Sequence, residues 1–252
     1  MLHRAFALLI GMAFAYALAT QARAAMGDRL QQQHFGDIAP GTYQAGDQIR
    51  FSLDRYQNEF LMRIAGNPEV YVLYADYGTL GGRVLRYDSG AIAIQVAGWG
   101  AMTIYTDEAP DGLPASRIGD SSPPVMPQVS MQQMQTAADD ETSHLQYVRG
   151  LHVSFFADPD TVGDGGVRTF AFDAMENAAR GIDRFTANPA ARAAFGQRVN
   201  AVRLQTSVKP YIKIADKVLI VTFNPHTGYF GRASSRANAY ALGKLFGIPI
   251  AN

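Results

Sequence analysis

The densest set of groups able to recognise a charged ligand lies in thirteen consecutive residues, Asn224-Pro225-His226-Thr227-Gly228-Tyr229-Phe230-Gly231-Arg232-Ala233-Ser234-Ser235-Arg236. The segment leaves an apolar strand, turns through two glycines and enters a helix at paired serines. A helix start has free amide groups and the positive end of the helix dipole, and both favour an anion. Arg232 and Arg236 stand four apart, a spacing at which two guanidinium groups could clamp one anion. His226, Arg232, Ser234, Ser235 and Arg236 are therefore the candidate anion-binding residues, with His226 the candidate base. A plainer account fits the same residues: Ser234 is an N-cap, the glycines serve the turn, and both arginines lie in solvent.

Two other segments carry weaker chemistry. Asp158-Pro159-Asp160-Thr161-Val162-Gly163-Asp164-Gly165 has acids at its first and third positions and glycine at its sixth, as in a calcium loop. Val162 at the fifth offers no side-chain oxygen, and Thr169 stands at the twelfth where a bidentate glutamate is required. A loop between strand and helix is the better reading, and neither a metal site nor a cofactor is expected. Trp99, the single tryptophan, sits between Gly98 and Gly100 in a stretch that also holds seven tyrosines. It is the candidate glycan-stacking residue, although aromatics also favour strands simply for packing. The chain has no G-x-S-x-G, H-E-x-x-H, P-loop, S-x-x-K or G-x-G-x-x-G motif, so no catalytic residue can be named.

These groups must be held by two kinds of structure. From Gly41 to Thr106 the pattern has period two: Ile49, Phe51 and Leu53 alternate with Arg50, Ser52 and Asp54. About six short strands, separated by turns such as Asn67-Pro68, Asp88-Ser89-Gly90 and Gly98-Trp99-Gly100, indicate a small antiparallel sandwich or barrel over residues 25–106. Residues 107–128 hold five of the twelve prolines and suggest an extended linker, because proline fixes φ and removes a donor. Residues 129–252 mix helix and strand. Ser130 should cap a first helix, and Phe170, Ala174, Ala178 and Ile182 form a helical stripe. Asn188-Pro189 starts another helix, three strands lie between Val199 and Phe223, and a last helix runs from Ser234 to Phe246 before Gly247. The expected class is α+β, with helices against one face of the C-terminal sheet.

Composition narrows the function classes. With 22 basic and 22 acidic side chains the chain has no net charge, which argues against binding driven by nucleic-acid or membrane-surface electrostatics. The absence of cysteine excludes disulfides, thiolate metal sites and thiol nucleophiles. Arg4, the uncharged run Ala5–Ala19 and Ala22-Arg23-Ala24 have the form of a secretory signal peptide over residues 1–24. The apolar run is shorter than the about 20 residues a membrane span needs. Cleavage after Ala24 would leave 20 basic against 22 acidic side chains, in a protein exported to the periplasm or medium without a membrane span.

Arg83-Val84-Leu85-Arg86-Tyr87-Asp88-Ser89-Gly90, the Gly98-Trp99-Gly100 and Thr103-Ile104-Tyr105-Thr106 stretches, and Gly231-Arg232-Ala233-Ser234-Ser235-Arg236 together resemble an uncharacterised family of exported bacterial proteins, a domain of unknown function. The resemblance implies export and a bacterial source, with no activity to carry over. Three functions are then in play. The first is a non-catalytic binding or structural factor of the bacterial envelope. The second is a hydrolase acting on an envelope polymer or phosphorylated ligand, and the third is a carbohydrate-binding module. The expected partner is an envelope component or a small anionic ligand.

Overall fold

The computed structural model describes residues 38–250, so the signal peptide expected over residues 1–24 lies outside the described part. Eight antiparallel strands close into a barrel: β1 (Gly41–Ala45), β2 (Ile49–Tyr56), β3 (Glu59–Ile64), β4 (Val70–Tyr77), β5 (Arg83–Tyr87), β6 (Ile92–Val96), β7 (Met102–Ile104) and β8 (Leu113–Gly119). The period-two pattern decides which side chains point inward. Ile49, Phe51 and Leu53 are buried while Arg50 is exposed, and Leu53, Met62, Leu73, Leu85 and Ile94 fill the interior. Tyr43 stacks on Phe51, and Tyr71 meets Tyr87 edge to face, each pair at 5.3 Å between ring centroids. The hairpin at Asp88-Ser89-Gly90 forms as expected, with Gly90 at φ 90°.

The barrel has eight strands where the sequence pattern suggests six, and one of the added strands corrects the linker assignment. β8 lies inside residues 107–128 and pairs with both β7 and β1, as in Ile104↔Leu113 and Ala45↔Ala115. Only Pro114 falls within it, and residues 115–119 are proline-free, so a ladder can form between the prolines. Pairing β8 on both sides closes the sheet and removes two exposed edges, which offsets the donor lost at Pro114. The chain beyond β8 is tied down as well. Ser121 donates its hydroxyl to the buried Asp54, Arg63 donates to the Ser122 carbonyl, and Thr169 donates to the Pro127 carbonyl.

The C-terminal part is a four-stranded sheet with helices packed on it. Its elements are α1 (Met131–Arg149), β9 (Ser154–Ala157), α2 (Pro159–Val162), α3 (Gly165–Thr186), α4 (Pro189–Arg198), β10 (Ala201–Thr206), β11 (Ile212–Ala215), β12 (Val218–Phe223) and α5 (Ser235–Phe246). The strand order is β11-β12-β10-β9, parallel except for β11. Caps fix the helices where the sequence places them: Ser130 and Gln133 form a capping box, Asn188 caps α4, Ser234 caps α5, and Gly247 ends α5 at φ 66°. The first helix is continuous over 19 residues, with Met134, Ala138 and Leu145 anchoring its length against the core. The long helix α3 and the shorter α5 approach closely at Gly181. A Cβ there would stand 2.6 Å from the Asn238 Cβ, so only glycine fits.

Candidate functional site

The barrel's turns divide between two ends. Residues 46–48, 65–69, 88–91 and 105–112 lie at the end that meets the helices, while residues 57–58, 78–82 and 97–101 lie at the far end. The segment singled out by its chemistry, residues 224–236, carries the chain from β12 to α5; its serines reach the first of these ends, while Tyr229 and Phe230 pack on the barrel wall against Tyr56, Leu61 and Val72.

Its anion-favouring groups meet carboxylates of the barrel. Ser234 donates its backbone N–H to Asp88 Oδ2 at 2.7 Å and its hydroxyl to Oδ1 at 2.5 Å. Ser235 does the same to Glu69, at 2.7 and 2.6 Å. The helix start thus binds two anions, each through one amide and one hydroxyl, and both belong to the chain itself. Ser234 Oγ also accepts from Ala237 N, so it is a helix cap and an interdomain contact at once. Burial pushes the Asp88 carboxyl above its ordinary value, and the bonds from Ser234 and the charge of Arg232 oppose that rise.

Arg232 and Arg236 do not clamp one anion; they face different places. Arg232 is buried, donating Nε to Asp173 and Nη2 to the Val70 carbonyl, with Nη1 left without an acceptor. Burial opposes its charge, yet Asp173 holds its pKa above the ordinary arginine value. Arg236 lies over the Tyr87 ring at 4.3 Å and donates to Asp107, which also receives Arg184. Burial would raise the Asp107 carboxyl, but the two guanidinium groups hold it below its ordinary value. His226 is remote from this seam. It is exposed, its N–H is held by the Asn224 side chain, and it borders a separate surface hollow with Asp160 and Val208.

Between the barrel end and helices α1 and α3 lies a cleft made of two adjoining cavities of about 810 and 490 Å³, which share Asn67, Tyr71, Asp107, Arg180 and Arg184. In the larger one, Arg149 bonds Asp183 at 2.7 Å and the His144 ring stands 3.9 Å from the same carboxylate. Burial and then Glu176 push the Glu141 carboxyl upward. The Tyr71 phenol is pushed to about 12, by burial first and then by Glu69. The smaller cavity sits at the barrel mouth, where Ile49, Ile64 and Pro68 give an apolar wall and Arg236 a charged one.

Sequence reading missed Glu69, Asp88, Asp107, Asp173 and Arg184. Glu69 and Asp88 stand in barrel turns where acids are ordinary, and their partners lie 166 and 146 residues away. Nothing local marks such a pair. Residues 158–165 hold the short helix α2 where a loop was expected; Asp158 pairs with Arg203 and Asp164 caps α3, and among the described residues no cluster of three or more metal-ligating side chains occurs. Trp99 stands at the far end of the barrel with 76% of its surface exposed.

A family described as a domain of unknown function (DUF4908) matches residues 21–242, most of the chain and both of its parts. The chain belongs to this family. The match spans the barrel, the cleft and the docked helix start alike, so the family unit includes the seam and not the barrel alone. Neither the curated proteins nor the solved structures give a match to the chain. No described helix is long and apolar enough to cross a membrane.

Proposed function

We propose that this chain is an exported, non-catalytic binding factor of the bacterial envelope whose ligand seat is the cleft between barrel and helices. The observation that carries this reading is the use made of the reactive residues. Ser234 and Ser235 spend their hydroxyls on Asp88 and Glu69, and Arg232 spends its charge on Asp173. The two serines fasten the helices to the barrel, Arg232 adds its bond to the Val70 carbonyl, and what they leave open is a polar cleft. Ligand sites favour domain interfaces and the mouths of barrels, and this cleft is both. Export follows from the leader pattern at residues 1–24.

The test is a thermal-shift panel of soluble peptidoglycan fragments, sulfated glycans, phosphate and calcium, with hydrogen exchange mapping any ligand that raises the midpoint. A ligand at a hundredfold excess over Kd adds about 2.7 kcal/mol of stability. Protection at residues 67–71, 140–149 and 180–184 is the expected result. Protection confined to the far end of the barrel would favour a second reading, carbohydrate binding at Trp99. That reading has its own support: Tyr77, Leu80 and Trp99 are all exposed there, and the turn at Gly98 packs directly against the Leu80 carbonyl.

A further inference from the structure

Two arginines at the barrel mouth converge on one acid. Arg184 and Arg236 share the single carboxylate of Asp107. The third guanidinium of this cavity, Arg180, is already matched by Glu176 and the Asn177 side-chain Oδ1. Glu108 also borders the cavity but lies out in solvent. The side chains of Arg236 and Arg184 are 13% and 28% exposed, whereas that of Asp107 is 52% exposed, so the positive groups lie deeper than the acid they share. Arg236 is held by stacking on Tyr87 and by Asp107, and its Nε has no acceptor there. These two partly buried guanidiniums stand beside the apolar wall of Ile49, Ile64 and Pro68, with the buried Glu69 carboxylate acting on Arg184 from the adjoining cavity.

We infer that the barrel mouth binds a small organic carboxylate, with the carboxylate on Arg184 and Arg236 and its apolar part against Ile49, Ile64 and Pro68. This rests on the cleft reading above and names the chemistry of its ligand. A guanidinium pairs with a carboxylate through two parallel bonds, and here two guanidiniums have one carboxylate between them. A monoanion brings one negative charge beside Asp107 and Glu69, whereas a phosphate monoester brings about −1.5 to −2 and is repelled more strongly by the same acids. The cavity of about 490 Å³ lies within the range of small-molecule sites.

The experiment is calorimetry of the purified protein with hexanoate, its neutral isostere hexanamide and inorganic phosphate. Hexanoate is expected to bind one to one, and hexanamide and phosphate at least tenfold more weakly. Arg184→Gln and Arg236→Gln should each weaken hexanoate roughly tenfold or more, the usual worth of a charge-assisted bond. Asp107→Asn gives the discriminating result, because removing the resident carboxylate frees both arginines and should tighten hexanoate several-fold. Were the three residues only a structural ion pair, that variant would lower the denaturant midpoint and gain no ligand. Weaker binding in Asp107→Asn, equal binding of hexanamide, tighter binding of phosphate, or no hexanoate binding to wild type each overturns the inference. If Arg236→Gln loses its fold through the Tyr87 contact, Arg184→Gln and Asp107→Asn still decide it. Envelope fragments that protect the cleft while hexanoate fails would overturn the carboxylate alone; failure of both removes the cleft as a ligand seat.

Discussion

The start of α5 meets barrel carboxylates in two settings, a few residues apart, that differ in how well charge is matched. In the seam, Arg232, Ser234 and Ser235 are buried and face Asp173, Asp88 and Glu69, so each donor group has an acid of its own. In the cleft, Arg184 and Arg236 divide one acid that is half in solvent. Removing a partner from a buried matched pair strands an unpaired charge, while loosening an exposed pair costs little. The seam therefore holds the fold and the cleft is free to recognise something. The carboxyl pKa values move apart in the same sense: burial lifts Asp88, and two arginines depress Asp107.

Arg232→Ala should break the comparison most severely. It leaves Asp173 and the Val70 carbonyl without their buried donor, and a loss of about 3–5 kcal/mol in denaturant unfolding is expected. A loss below about 1 kcal/mol would mean the seam is no tighter than a surface pair. Ser235→Ala removes the hydroxyl donor to Glu69 and should cost about 1–3 kcal/mol, the range for a buried acceptor left short. Arg184→Gln, on the cleft side, should cost less than about 1 kcal/mol in the same assay.

The pH dependence separates the two regions by sign. Asp88 is raised in the folded state, so its stabilising contribution is complete below the unfolded value of 3.8 and is lost as pH rises through the folded one. Asp107 is lowered, so its contribution is present above 3.8 and is lost as pH falls through the folded value. Asp88→Asn should therefore make the stability curve above pH 3.8 climb more steeply than in wild type. Asp107→Asn should flatten the curve below pH 3.8. Parallel curves for wild type and both variants would contradict the assignment of burial to one carboxyl and ion pairing to the other. The smallest effect is expected at the far end of the barrel, where Trp99→Ala should leave stability within about 0.5 kcal/mol of wild type.

Local chemistry determined a good deal of this protein by itself. The alternation over residues 49–53 announced a strand with one buried face, because side chains on a strand alternate between its two faces. Ser130, Asn188, Ser234 and Gly247 marked helix ends, since each satisfies backbone groups within a few residues of itself. The paired serines also announced that an anion belongs at the start of α5. Only the tertiary structure decided which anion. Glu69 and Asp88 reach that site by folding of the barrel against α3 and α5, and Coulombic and hydrogen-bond partners are chosen by distance in space, which sequence separation does not encode. The same holds for β8, which lies in a proline-rich stretch that suggests a linker and whose place in the ladder comes from the two strand edges it closes. It holds too for Arg236 and Arg184, which share Asp107 only because two helices and a barrel loop converge on one cavity.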